Sequence, residues 1–250
     1  MTKKTKTAEN TLVTFLLDRS GSMGSCREST IEAFNGYIES LRTAPVSFTF
    51  LQFDSESLDK VHFEKPIKDV PDLSMATYQP RGGTPLIEAA TKTIQALETA
   101  LKAKTEKPKV VVCIQTDGEE NQSGREYTWQ ALKDLIAAKT AEGWQFNFMG
   151  AGIDAYDQGS KMGISAAATM SYDSTDKVAT RAAFAASGHN TMLYASGFAA
   201  STDYSALQKM ASGDKFDPNL KIPTLKPVKV SSSVKLDLGG KKSSGLDLTQ

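Results

Sequence analysis

Residues 11–25 read Thr-Leu-Val-Thr-Phe-Leu-Leu-Asp-Arg-Ser-Gly-Ser-Met-Gly-Ser. A run of apolar and β-branched residues reaches an aspartate and then a hydroxyl-rich turn, the pattern of a buried strand that stops at a polar loop. The strand is Thr11–Leu17. Behind it, Gly24–Leu41 carries Ile31, Phe34, Ile38 and Leu41 at helical spacing. A strand passing into an amphipathic helix is the opening unit of a sheet covered by helices.

The alternation continues outward to about residue 200. Ser47–Phe53 is predicted as the second strand, and Leu58–Phe63 pairs with it across Asp54-Ser55-Glu56-Ser57. So short a connection cannot make a parallel crossover, so the pair is an antiparallel hairpin and supplies an edge strand. The next helix runs from Leu86 to about Ala103 and opens on Pro85, whose missing N–H costs nothing in a first turn. Val110–Gln115 is near-continuously apolar and belongs at the centre of a sheet buried on both faces. A helix from about Glu126 to Glu142, a strand Gln145–Met149, a short helix Ala155–Met162, a strand Ala168–Tyr172 and an alanine-rich helix from about Asp176 complete the series. The predicted fold class is α/β: a doubly wound, mostly parallel six-stranded sheet with one antiparallel edge strand and helices on both faces.

Residues 1–10 read as an N-terminal extension, 11–212 as one domain and 213–250 as an extended, lysine-rich tail. Within that tail, Val228-Lys229-Val230 and Val234-Lys235-Leu236-Asp237-Leu238 alternate apolar with charged residues. Such a segment either remains solvated or adds a strand to an exposed sheet edge, its own or a neighbouring subunit's. The chain of 250 residues carries 29 basic and 29 acidic side chains, so overall charge argues for neither nucleic acid nor an anionic membrane as partner. The apolar run after Lys3, Lys4 and Lys6 is broken by Thr14 and ended by Asp18. It is shorter than a secretory core and far short of the ~20 residues of a membrane span. Two cysteines, Cys26 at a helix start and Cys113 in a strand, fit a reduced intracellular protein better than a disulfide-built secreted one.

Three separated stretches gather oxygen-bearing side chains after strands or at helix starts: Asp18-Arg19-Ser20-Gly21-Ser22, Gly82-Gly83-Thr84-Pro85 and Thr116-Asp117-Gly118-Glu119-Glu120-Asn121. In an open doubly wound sheet, ligands bind beyond the carboxyl ends of strands where the strand order reverses. Asp18 and Asp117 end two strands expected side by side there. An all-oxygen set points to a hard cation such as magnesium. Neutral Ser20, Ser22 and Thr84 hydroxyls would leave that cation most of its charge. Asp18 and Asp117 would act at one remove, through bound water and the serines.

These stretches, in this order, resemble the metal-ion-dependent adhesion site of von Willebrand factor A (vWA) domains over roughly residues 11 to 200. The resemblance implies that Asp18, Ser20, Ser22, Thr84 and Asp117 hold Mg2+ or Mn2+, and that an Asp or Glu of a protein partner completes the coordination. It implies one metal, because Met23, Gly24 and Ser25 stand where integrin-type relatives carry further acidic residues. Small proteins of this type resemble ones of bacteria and their phages, so the expected location is the cytoplasm or a phage or virion particle.

Simpler readings apply to other residues. Arg19, the variable position of the motif, draws an anionic ligand or faces solvent, and solvent is preferred. Glu119, Glu120 and Asn121 rim the site or are merely solvated, and solvation is preferred. His62 in the edge hairpin and His189 in the last helix stand away from the carboxyl ends of the central strands. Cys26 opens a helix, a place that can lower a thiol pKa, yet lacks a partner base and reads as structural. Trp129 and Trp144 read as packing residues. The reading is therefore a non-enzymatic, metal-dependent protein-binding module, with a magnesium-dependent phosphatase-like hydrolase or a structural component of a larger particle as alternatives. Against the hydrolase, Ser20 occupies the place of the second aspartate of haloacid-dehalogenase-type phosphatases, and no Gly-x-x-x-x-Gly-Lys occurs.

Overall fold

The computed structural model describes residues 10–214. The extension before Asn10 and the alternating segment Val228–Leu238 lie outside them. Six strands form one sheet: β1 Thr11–Asp18, β2 Val46–Phe53, β3 Leu58–Pro66, β4 Lys109–Thr116, β5 Gln145–Ala151 and β6 Thr169–Tyr172, in the order β3-β2-β1-β4-β5-β6. Every pairing is parallel except β2 with β3. The hairpin prediction follows through to the edge: the β2–β3 connection is too short for anything but an antiparallel return.

Helices α1 Arg27–Leu41, α2 Leu86–Lys102, α3 Trp129–Ala141, α4 Ala155–Met162, α5 Lys177–Ala195 and α6 Ala206–Ala211 surround the sheet. Alternation along the strands divides the core in two. Val13, Phe15 and Leu17 join Phe34, Tyr37 and Phe184 of α1 and α5 on one face. Leu12 and Leu16 join Ile94, Leu132 and Met162 of α2, α3 and α4 on the other. All eight residues of β1 are buried, as a strand covered on both faces requires. Phe15 meets Phe34 edge-on at 5.2 Å and Tyr37 at 4.9 Å, so α1 is anchored directly under the strand that ends in Asp18.

Two helix starts and one whole helix differ from the sequence expectation. The helix read from Gly24 is a 3-10 segment, Gly21–Cys26, before α1 begins at Arg27. Its tighter coil begins with a bond from the Met23 N–H to the Ser20 carbonyl, which turns the chain sharply at the end of β1. The helix read from Glu126 starts at Trp129, because the Thr128 side chain caps it by accepting from the Ala131 N–H. The six-residue α6 was not anticipated; a reciprocal pair of bonds between Ser205 and Gln208 starts it.

Residues 67–85 form a strap that starts beside Pro66, paired with Ser47 near the beginning of β2, and runs along α1 to the carboxyl end of the sheet. Buried Val70, Leu73 and Tyr78 hold it to the core, and Asn35 on α1 both donates to the Leu73 carbonyl and accepts from its N–H. The strap delivers Arg81–Thr84 to the end of β1. There Gly21 N–H meets the Gly82 carbonyl at 3.0 Å and Arg81 N–H meets the Arg19 carbonyl at 2.8 Å.

Candidate metal centre

The strand order reverses between β1 and β4, which pair side by side up to Leu17 and Gln115. Their next residues open the crevice expected of a doubly wound sheet. Asp18 is fully buried at the end of β1. One of its carboxylate oxygens accepts the Ser20 N–H at 2.6 Å, and the other accepts the Thr116 hydroxyl at 2.5 Å. The Tyr78 hydroxyl donates to the Asp18 carbonyl at 2.6 Å, so strap, β1 and β4 meet on this one residue.

From Asp18 the chain runs outward through hydroxyls. Ser20 Oγ and Ser22 Oγ are 3.1 Å apart, and Ser22 Oγ donates to an Asp117 carboxylate oxygen at 2.6 Å. Ser20 is buried and Ser22 exposed, so the set opens to solvent on the serine side. Thr84 is buried at the start of α2, its N–H donated to the Asn121 side chain and its carbonyl accepting the Asn121 N–H. A Cβ added at Gly118 would fall 2.8 Å from Thr84 Oγ1 and 3.6 Å from Ser22 Oγ. Gly118 thus marks the place where the β1, β4 and α2 pieces converge. All five residues singled out from sequence come together here. Among the described residues, no three His, Cys, Asp or Glu side chains cluster as a ligand set; the five residues here are two carboxylates and three hydroxyls.

Burial pushes the Asp18 carboxyl up to about 6, against the opposing bonds from Thr116 and Ser20 and with a smaller push from Asp117. Burial also raises Asp117, opposed by the bond from Ser22. Two carboxyls held away from water and beside one another are an unfavourable place for negative charge and a favourable one for a small cation.

Arg19 overturns the solvent reading. It is buried, with Nε 2.7 Å from an Asp54 oxygen, an ion pair to Asp59 at 2.8 Å and a bond to Ser57 Oγ at 2.9 Å. The motif's variable side chain is drawn away from the centre because a buried carboxylate waits on the β2–β3 turn. Glu120 and Asn121 also depart from expectation. The Glu120 carboxylate accepts from the N–H groups of Ile87, Gln122 and Ser123, supplying the negative charge that the start of α2 favours. Asn121 holds Thr84 in place. Glu119 is exposed, as anticipated.

Thr116 and Tyr78 were missed as site residues. Thr116 stands beside Asp117 in sequence, but its inward direction follows only from strand parity. Tyr78 lies on the strap, which has no periodic pattern to place it. Cys26 is buried with Sγ facing the Met23 carbonyl, and burial raises its thiol pKa, as a structural cysteine requires. His62 packs against Phe50 in the hairpin, His189 is exposed on α5, Trp144 is buried and Trp129 packs partly buried on the core.

A Gly118→Ala substitution probes this convergence. Its methyl would crowd the Thr84 hydroxyl while leaving the sheet untouched, so the Mn2+ affinity that the resemblance implies should fall a few-fold, about as far as loss of that hydroxyl alone would take it, with little change in unfolding temperature. Titration calorimetry and thermal melts in chelator measure the two quantities. Unchanged affinity would mean that Thr84 and Ser22 do not share a ligand.

No family model and no curated protein matches this sequence. Among solved structures, the chain is similar to the pilus adhesin SpaC from Lactobacillus rhamnosus GG in its open conformation. The TM-score is 0.54 at 14% identity, over 76% of this chain and 31% of that one. It is similar to the D319A mutant of the PilB minor pilin from Streptococcus sanguinis, with TM-score 0.53 at 11% identity, over 76% and 63% of the two chains. It is also similar to a von Willebrand factor type A protein from Catenulispora acidiphila, with TM-score 0.50 at 18% identity, over 74% and 43%. In each case the likeness covers less than two thirds of the other protein. Strand order, one antiparallel edge and helices on both faces agree with that likeness: the chain has the fold of a von Willebrand factor A domain.

Proposed function

We propose that this domain is a protein-binding module that holds Mg2+ or Mn2+ and uses it to take an aspartate or glutamate of a partner. The observation that carries the reading is the meeting of Asp18, Ser20, Ser22, Thr84 and Asp117 at the β1–β4 reversal, with Ser22 facing solvent. All the donors are oxygens, which suits a hard cation. The three hydroxyls bring no charge, so a bound cation would keep the positive charge that attracts a carboxylate. Asp18 would hold the Ser20 and Thr116 groups in place, and Asp117 would orient Ser22. The pilus adhesin and the minor pilin with this fold are proteins of attachment and assembly by name, a use of the same broad kind.

A binding role is favoured over hydrolysis because the residues around the centre are already committed. Thr116 is tied to the buried Asp18 carboxylate and Glu120 caps α2, while Ser22, which does donate to a carboxylate, is taken up by the cation in this reading.

Thr84→Ala provides the test. Mn2+ affinity should fall only a few-fold, because the serines and aspartates remain, while capture of an acidic peptide should fall roughly tenfold or more. Calorimetric titration gives the first value, and binding of a fluorescent Asp- or Glu-containing peptide library, with and without chelator, gives the second. A parallel fall in both would make Thr84 a plain anchor for the metal. Peptide binding indifferent to chelator would overturn the metal-dependent reading.

A further inference from the structure

The turn between β2 and β3 hydrogen-bonds to the loops that build the centre. Asp54 opens that turn with a side chain fully withdrawn from solvent. Its two oxygens have separate tasks. Oδ1 accepts the N–H groups of Glu56 at 2.7 Å and Ser57 at 2.9 Å, which shapes the turn itself. Oδ2 collects two guanidinium groups: Arg19, through Nε and Nη2 at 2.7 Å each, and Arg81, through Nε at 3.1 Å. Arg19 belongs to the Asp18–Ser22 loop and Arg81 to the strap that ends in Thr84.

Neighbouring bonds repeat the connection. Ser57 Oγ accepts from both arginines, at 2.9 and 3.1 Å. Ser55 Oγ accepts the Gly83 N–H at 2.9 Å, one residue before Thr84. Gly82 has φ +65, and a Cβ there would fall 2.4 Å from Ser55 Oγ, so the strap can approach the turn this closely only as glycine. The strap and the Asp18–Ser22 loop meet directly through two backbone bonds, Arg81 to Arg19 and Gly21 to Gly82. Each loop by itself is an irregular segment with polar side chains. Their relative position is set by charge-assisted bonds converging on one oxygen.

We propose that Asp54 is a positioning residue for the metal centre: through Arg19 and Arg81 it holds the Asp18–Ser22 loop and the strap bearing Thr84 at the spacing that brings their hydroxyls together. This rests on the metal-binding reading above. It also accounts for Arg19, whose burial away from the centre has no role in coordination.

Asp54→Asn separates the two tasks. The amide keeps an oxygen for the Glu56 and Ser57 N–H groups, so the turn persists, but it directs an NH2 group at two guanidinium groups. Mn2+ affinity should fall about tenfold, the scale seen when a residue supporting a metal ligand is lost. Arg81→Gln, at a half-exposed side chain, should give a similar fall, and Arg81→Lys should recover most of it by restoring a cation. Asp54→Asn with Arg81→Gln should be little worse than either alone, because both break the same connection.

Affinity is read by calorimetry on folded protein, with melting temperature in chelator measured beside it. A lowered melting temperature with wild-type Mn2+ affinity would overturn the proposal, since the turn would then serve stability alone. A roughly hundredfold fall in the double variant, the product of independent effects, would overturn it as well. A wild-type protein that binds no Mn2+ would instead overturn the metal reading beneath it.

Discussion

Asp18→Asn should make the metal-free protein more stable and abolish Mg2+ and Mn2+ binding. Burial raises the Asp18 carboxyl from an ordinary 3.8 to about 6 in the folded state. The folded protein therefore holds a proton there that the unfolded chain has released, and stability is lost as pH rises from about 4 through 6. Above pH 7 the full cost is present, on the order of 3 kcal/mol from Asp18 alone. Asparagine removes the charge yet can keep the bonds. Its oxygen accepts the Ser20 N–H, and its NH2 donates to Thr116 Oγ1, whose hydroxyl turns to the Gly118 carbonyl 3.0 Å away. The expected gain in unfolding free energy at pH 7.5 in chelator is about 2 kcal/mol.

The same reasoning predicts that wild-type protein in chelator unfolds at a higher denaturant concentration at pH 5 than at pH 7.5, and that Asp18→Asn flattens this dependence. Asp117, raised in the same direction, adds to the wild-type slope. Saturating Mg2+ should stabilise the wild type at pH 7.5 and leave the variant unmoved. Undiminished cation affinity in the variant, or an apo protein no more stable at pH 5, would remove Asp18 from the centre. A residue that weakens its own empty domain is what a binding site at a sheet reversal leads one to expect, because the geometry that suits the ligand leaves charge uncompensated without it.

Lys209→Ala should destabilise the domain by roughly 3–5 kcal/mol, the cost of leaving a buried ionic network without its cation. For a domain of about 200 residues that is roughly 10 °C in melting temperature. Lys209 is almost wholly buried on α6, and burial pulls its amine down to about 8. Its Nζ donates to the carbonyls of Ala166 at 2.5 Å and Thr169 at 2.7 Å and to the Tyr156 hydroxyl at 3.0 Å. Tyr156 donates in turn to Asp214 at 2.6 Å, which also accepts the Ser171 N–H at 3.1 Å. The Ser212 carbonyl and hydroxyl meet the Asp173 N–H and the Ser171 carbonyl. Side chains and backbone from 209 to 214 thus satisfy the outer edge of β6, the last strand of the sheet, which would otherwise present unpaired backbone groups. Urea unfolding in chelator measures the loss. A cost below about 1 kcal/mol would show that water replaces the amine without penalty. Mn2+ affinity should stay at the wild-type value, since the network lies at the far edge from the β1–β4 reversal.

Much of the architecture was legible because it rests on periodicity. Apolar strand runs, helical spacing in Gly24–Leu41 and a four-residue β2–β3 turn are local patterns, and local patterns with steric rules for crossovers leave few arrangements. The five oxygen-bearing residues were legible for a related reason. Each stands at a strand end or helix start, and in this fold those ends converge by topology, not by fine packing. What sequence could not settle is where long side chains go once loops from distant parts of the chain are in contact. Arg19 reads as a variable surface position until Asp54, 35 residues later, is placed beside it. Glu120 and Asn121 read as solvated until α2 brings its bare N–H groups and Thr84 to them. Lys209 reads as a surface lysine on any hydropathy scale until two carbonyls and a phenol enclose it. Sequence alone determined the sheet, its antiparallel edge and the identity of the converging oxygens, because strand and helix periods repeat within a few residues. Only the tertiary structure decided which charges are buried and what they hold, because a buried ion pair is a long-range contact whose partners leave no local pattern in the chain.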